Sequence, residues 1–441
     1  MKENRRIRPR VRDAVLQSLR AGVVPRIGQQ YFQVGRVEEL KAMLRDLERI
    51  VDGGSAIRFI IGEYGSGKTF FLLLIRSIAF EKRMVTAHAD LSPDRRLHAA
   101  GGQARSLYQE LARNLSTRSK PDGGALPSIV ERFVSTALKD ARELGKTTEA
   151  VIQGRLEALS QSVGGYDFAE VIGAYWRGHD TGDEALKSSA IRWLRGEFAT
   201  KTDARKALGV RTIVDDKNVY DQLKLLGQFV RLAGYSGFLV CLDEMVNLYK
   251  LPSGQSRRTN YEQILRIFND TLQGTCEGIG FLFGGTPEFL LDPRKGLYSY
   301  AALQTRLAEN TFAVDGLVDY SNPILRLARL TPEDILVLLG KLRDLHAGGD
   351  LEKHILPEEA LEVFLQHCGR QLGEAAFRTP RTTVKGFCDL LAVLEQNPDA
   401  DWKDMIGKIK FTPDRNPELE APGAKAEDND DDDDELSTLK L

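Results

Sequence analysis

A chain of 441 residues, 42% hydrophobic and 28% charged, can bury a sizeable core and has length for roughly two to four domains. Its formal net charge of −2 hides an asymmetry: three basic and ten acidic residues fall from Arg415 onward, leaving about +5 for residues 1–414. That balance permits a nucleic-acid partner without demanding one. No apolar run approaches the roughly 20 residues of a membrane span, and the basic start, Met1 to Arg12, has no apolar stretch behind it, so no secretory signal is expected there.

In chain order, Arg8 to Ala21 predicts a basic helix that ends at Gly22 and leads into a loop through Pro25 and Gly28. Residues 1–33 form this N-terminal lead. Residues 34–91 predict the first part of an α/β core, with a strand over Ala56–Ile61, a helix over Thr69–Phe80 and a strand over Met84–Leu91. Residues 92–235 are long, polar and rich in helix formers, and predict a helical insertion with breaks at Gly123-Gly124, Gly164-Gly165 and Gly178. Leu107, Leu111 and Leu115 make a packing stripe there. Strands return over Gly237–Asp243, Ile279–Gly284 and Ile324–Leu330, completing the core across residues 236–330. Unbroken apolar strands alternating with helices indicate a parallel sheet covered on both faces. Thr331-Pro332-Glu333-Asp334 reads as a helix start and opens a helical lid over residues 331–412. The segment 413–441, proline-bearing and then acidic, predicts disorder.

Two motifs carry chemistry. In Gly62-Glu63-Tyr64-Gly65-Ser66-Gly67-Lys68-Thr69 the glycines let successive backbone N–H groups turn toward an anion, and the following helix adds its positive end. Lys68 can reach the β- and γ-phosphates of ATP, and the Thr69 hydroxyl can complete a Mg²⁺ shell. The loop follows a predicted strand and opens a predicted helix, the context this chemistry needs. The strand Gly237–Asp243 then delivers Asp243-Glu244 to its C-terminal end, where open α/β sheets bind ligands. Asp243 suits the metal, and Glu244 suits orienting the attacking water.

These motifs, in this order, resemble the AAA+ and STAND-type ATPases. Val34-Gly35-Arg36-Val37-Glu38-Glu39 is similar to the segment with which that superfamily lines its adenine pocket, so Gly35 and Arg36, with Phe70 after the phosphate loop, are expected to bind nucleotide. Phe281 to Glu288 resembles a sensor-1 strand end with Thr286 as the polar sensor. Phe377-Arg378-Thr379-Pro380-Arg381 resembles a sensor-2 turn, with Arg381, or else Arg378, reaching the phosphates. Arg306 stands where such proteins carry an arginine finger for a neighbouring subunit, or it is a surface arginine. The resemblance implies sheet order 5-1-4-3-2 and a lid that extends toward a winged-helix-like bundle. From Gly22-Val-Val-Pro25 to Phe71 the chain also resembles the ATP-binding proteins of BREX-type phage-defence islands, BrxD-like. That likeness implies ATP with Mg²⁺, partners among other defence proteins, and action on DNA.

Other features carry less. Cys241, Cys276, Cys368 and Cys388 lack metal-ligand spacing and fit core packing in a reducing, cytoplasmic setting. His88 and His98 have no partners at metal spacing. Glu63 and Tyr64 are expected to point away from the phosphates, and Arg257-Arg258 is expected on a polar loop that lines a pore, touches nucleic acid or is simply solvated. Three functions follow: an ATP-driven motor or switch in a defence complex, an origin-recognition-like DNA loader, or a nucleotide-binding scaffold with negligible turnover. Homo-oligomers and direct DNA contact stay open.

Overall fold

A computed structural model describes residues 6–313, 318–372 and 380–411. The acidic segment expected to be disordered and the Phe377–Thr379 part of the sensor-2-like turn, Arg378 included, lie outside the described residues.

Five parallel strands form one sheet: β1 (Ala56–Ile61), β2 (Val85–Asp90), β3 (Phe238–Asp243), β4 (Ile279–Gly285) and β5 (Ile324–Arg326), in the order β2-β3-β4-β1-β5. Read from the other edge this is the expected 5-1-4-3-2. Along each strand successive side chains enter opposite faces. Ile57, Phe59, Val85, Phe238, Val240 and Phe281 pack on one face. Ile60, Leu239, Cys241 and Leu282 pack on the other, against α2 (Val37–Val51) and α3 (Lys68–Glu81).

The chain between β2 and β3 is helical: α4 (Gln103–Arg113), α5 (Leu126–Leu144), α6 (Thr148–Ser160), α7 (Gly165–Thr181), α8 (Glu184–Leu194), α9 (Lys201–Leu208) and α10 (Val219–Leu232). Its buried residues, among them Phe133, Phe168, Trp193 and Phe229, are continuous with those of the first sheet face. Leu107, Leu111 and Leu115 are buried in this core, as their spacing suggested. Past β3 come α11 (Val246–Tyr249) and α12 (Gly254–Leu272), and past β4 come α13 (Pro287–Leu291) and α14 (Ala301–Arg306).

Another cluster gathers the C-terminal helices α15 (Pro332–His346), α16 (Glu358–Leu372), α17 (Pro380–Gln396) and α18 (Trp402–Lys408). The N-terminal helix α1 (Pro9–Arg20) joins them through Val15, and Ile7 just ahead of it does the same, so chain segments over 300 residues apart share one core. Thr331 caps α15 with a full capping box to Asp334, matching the helix start read from Thr331-Pro332-Glu333-Asp334. Among the described residues from 332 to 411 there are helices and no strand. No described helix is long and apolar enough to cross a membrane.

Two expectations differ locally. Arg257 and Arg258 lie in the first turns of α12 rather than on a loop, because the Ser253 side chain caps that helix by accepting from the Ser256 amide. The strand expected over Ile324–Leu330 stops at Arg326. Leu327 still donates to the Ile61 carbonyl at 2.8 Å, but the Ala328 amide goes to the Glu39 carboxylate at 3.2 Å. A side chain from α2 takes the place of a strand partner, and the chain turns off toward the C-terminal helices.

Arg58, buried on β1, is held from α2 by Asp46, Nε to Oδ2 at 2.5 Å and Nη2 to Oδ1 at 3.1 Å, and also donates to the Asn322 carbonyl ahead of β5. Asp46 is 2% exposed and Arg58 5%, so removing one partner strands the other charge. Asp46→Ala is expected to destabilise by about 3–5 kcal/mol, whereas Asp46→Ala combined with Arg58→Met loses much less. Urea midpoints of the two variants check this; equal losses would show the pair has no such role.

Candidate nucleotide site

The phosphate loop leaves the C-terminal end of β1 and enters α3 at Lys68. Gly65 (φ 72°) and Gly67 (φ 88°) are left-handed, a conformation that β-carbons disfavour, and Gly67 is the N-cap of α3. At Gly62 the constraint is space: a Cβ there would sit 2.5 Å from Ser66 Oγ. The Gly62 amide donates to the Gly285 carbonyl at 3.2 Å, which docks the loop's entry on the end of β4. Lys68 lies along the inside of the turn, its Nζ donating to the carbonyls of Gly62 and Glu63, each at 3.0 Å. Burial holds its ammonium below the ordinary lysine range, opposed by Asp243, Glu244 and Glu288.

The second motif meets the first directly. Thr69 Oγ1 donates to Asp243 Oδ2 at 2.8 Å, although 174 residues separate them. Asp243 is buried at the end of β3, and its other oxygen accepts from the Glu244 amide at 2.9 Å. Glu244 is exposed and left-handed (φ 58°), a backbone state that costs a non-glycine residue on the order of 1–2 kcal/mol and recurs at functional sites. Between β3 and β1, Gly284 leaves the room that Asp243 occupies. A Cβ at Gly284 would lie 2.2 Å from Asp243 Oδ1.

Around this centre the other expected residues are distributed unequally. Arg36, left-handed at the N-cap of α2, lays its guanidinium on the loop and donates to the Ser66 carbonyl. Burial lowers its pKa against the pull of Glu39 and Asp334. Gly35, also left-handed, lets Asp334 and Leu330 approach, each 3.1 Å from where its Cβ would be. Phe70 reaches out of the loop's helix to Phe32, ring centroids 5.2 Å apart, and so into the C-terminal core. Thr286, buried just past β4, accepts from the Phe289 amide and caps α13. Arg381, on the first turn of α17, donates from Nη1 to the Tyr64 hydroxyl at 3.1 Å. Arg306 faces elsewhere: its Nε donates to Asn269 Oδ1 on α12 at 3.0 Å and its Nη1 to the Ala302 carbonyl at 2.9 Å. Glu63 pairs with Arg329 at 3.1 Å. The roles of Gly284 and Arg329 escaped the sequence reading, and Glu39, quoted there only within the segment likened to an adenine pocket, instead accepts from the Ala328 amide. A glycine pair at the end of an apolar strand, opposite an aspartate-ended one, was the available signal for Gly284.

The donors present suit a nucleotide and a hard divalent cation. Thr69 and Asp243 offer hydroxyl and carboxylate oxygens side by side, the type Mg²⁺ takes. Among the described residues Ser66 Oγ and Arg36 Nε are buried without a hydrogen-bond partner, both at the phosphate loop. A cleft of about 130 Å³ adjoins, walled by Arg36, Gly62, Glu63, Leu327 to Leu330, and Pro380. The outlying histidines and cysteines add no centre: no group of three or more potential metal-binding side chains occurs among the described residues. Burial pushes the Cys241 thiol up to about 12 and the His88 imidazole down to about 3.

A parallel α/β sheet with a glycine-rich loop after β1 and an aspartate at the end of β3 is the layout of a phosphate-loop nucleotide-binding protein. The family model described as BREX system ATP-binding protein BrxC/D matches residues 7–410. The chain belongs to that family of ATP-binding proteins. No curated protein matches it.

Gly284→Ala is expected to push the Asp243 carboxylate out of place while the sheet stays intact. Mg²⁺-dependent ATP affinity should fall by roughly 10–100-fold, with the far-ultraviolet circular dichroism unchanged. Calorimetric titration of ATP with and without Mg²⁺ reads this out, and unchanged affinity would mean that Asp243 is not a binding group.

Proposed function

We propose that this protein hydrolyses ATP with Mg²⁺ and uses the cycle as a motor or switch in a prokaryotic phage-defence complex that acts on DNA. The observation that supports it best is the 2.8 Å contact between Thr69 and Asp243, which joins the phosphate loop to the strand end that carries Glu244. We read residues 34–91 and 236–330 as an AAA+-like core, 92–235 as its insertion and 331–412 as its lid.

In this reading the amides of Gly65 to Thr69 and the Lys68 ammonium hold the phosphates, and Arg36 stiffens the loop from outside. Thr69 and Asp243 would hold Mg²⁺, which when bound supplies charge neutralisation on the phosphate oxygens. Glu244 accepts a hydrogen bond from the attacking water and orients it toward the γ-phosphate. Its exposure at the strand end suits that role. Thr286 senses the γ-phosphate from β4, and Arg381 meets it from the lid. Arg306 lies outside this set in a single chain and would act only across a contact between two copies. The working partners are other proteins of the same defence system.

Glu244→Gln keeps the side chain's size and removes the water-orienting charge. ATP turnover should fall by roughly 10²–10⁴-fold while ATP binding persists. Phosphate release and nucleotide binding, measured on one preparation, test the mechanism. Undiminished turnover in this variant would remove Glu244 from it.

A further inference from the structure

We propose that Tyr64 is a positioning residue: it stations Arg381 of the lid beside the phosphate loop and thereby makes the lid responsive to the nucleotide's phosphates. The proposal rests on the nucleotide site described above.

Phosphate binding by a glycine-rich loop needs its glycines, its lysine and its threonine, and leaves residues 63, 64 and 66 free for other work. Here both 63 and 64 are bulky, and both reach the segments that close over the site. The Tyr64 hydroxyl accepts from Arg381 Nη1 at 3.1 Å, and the Arg381 guanidinium stands 5.9 Å from the Tyr64 ring centroid. The turn after α1 borders the same group. Gly22 is left-handed (φ 70°), and a Cβ there would lie 3.2 Å from Arg381 Nε. Three segments distant in sequence therefore converge on one guanidinium. A parallel tie comes from the adjacent residue, with Glu63 meeting Arg329 at 3.1 Å on the stretch that joins β5 to α15.

A phenol and a ring face orient a guanidinium through a hydrogen bond and cation–ring attraction. The Tyr64 hydroxyl and ring do this for Arg381 at the edge of the phosphate loop. Because Tyr64 belongs to the loop itself, loop conformation and lid position are read by the same contact.

The test is a double-mutant cycle read as nucleotide affinity. Fluorescent ATP and ADP analogues are titrated into the full chain and into Tyr64→Ala, Tyr64→Phe, Arg381→Ala and the Tyr64→Ala/Arg381→Ala double variant, with Lys68→Ala as control. The expected result is a roughly tenfold or greater loss of ATP affinity in each alanine single variant, with a smaller loss for ADP. The double variant should be little worse than either single, and Tyr64→Phe should fall between wild type and Tyr64→Ala. Strictly additive losses, or equal losses for ATP and ADP accompanied by a lowered Tm, would overturn the pairing. Tyr64→Phe removes only the hydroxyl, so it keeps the test valid should Tyr64→Ala fold poorly. A wild-type chain that binds ATP no better than Lys68→Ala would overturn the nucleotide site and this inference together, whereas normal binding with an additive cycle overturns this inference alone.

Discussion

The hydrogen bond from Thr69 to Asp243 spans two strands that are not neighbours. β1 and β3 are separated by β4, about 10 Å at ordinary strand spacing. For a side chain on the first turn of α3 to reach the end of β3, the strands must finish level, the loop after β1 must curl back over β4, and β4 must offer no obstruction. Each condition is met by a particular feature. The register sets Ile60 beside Gly284 and Ile61 beside Gly285. The left-handed glycines at 65 and 67 make the curl, and Gly284, lacking a side chain, leaves the gap. The sheet is in this sense a jig for one hydroxyl and one carboxylate.

What surrounds that pair is tethering. The loop is gripped through its carbonyls by Arg36 from the start of α2 and by its own Lys68, so two half-buried cations lie against backbone oxygens. Phe70, Tyr64 and Glu63 point outward and bind the loop to the C-terminal helices and to the connection after β5. The first and last described segments share the core into which Phe70 inserts. A shift of that cluster cannot leave the phosphate loop untouched, because three consecutive kinds of contact (aromatic, cation–ring and ionic) would all change.

The strands were legible because each is an apolar run whose alternate residues serve opposite faces, and the loop because few other uses exist for Gly-x-Gly-Lys-Thr between a strand and a helix. The capping box at Thr331 was equally local and equally readable. What escaped depends on partners far along the chain. The end of β5 is set by Glu39, 289 residues before Ala328. The place of Arg257 follows from a serine cap that competes with the glycine beside it. Gly284 looks like a strand weakness until Asp243 is placed across from it. Arg36, taken by resemblance for the adenine pocket, lays its guanidinium on loop carbonyls, an arrangement that spacing alone does not encode. Arg306 could be assigned only a position, and its hydrogen bonds keep it on its own helix and α12.

Everything turns on whether Thr69 and Asp243 together hold a divalent cation against ATP. Mn²⁺ as a paramagnetic substitute, followed by electron paramagnetic resonance, addresses this without any need for turnover. The expected result is one Mn²⁺ retained per chain when ATP is present, little retained without it, and retention weakened in Asp243→Asn and Thr69→Ala alike. Retention that ignores ATP, or that survives both substitutions unchanged, would contradict it.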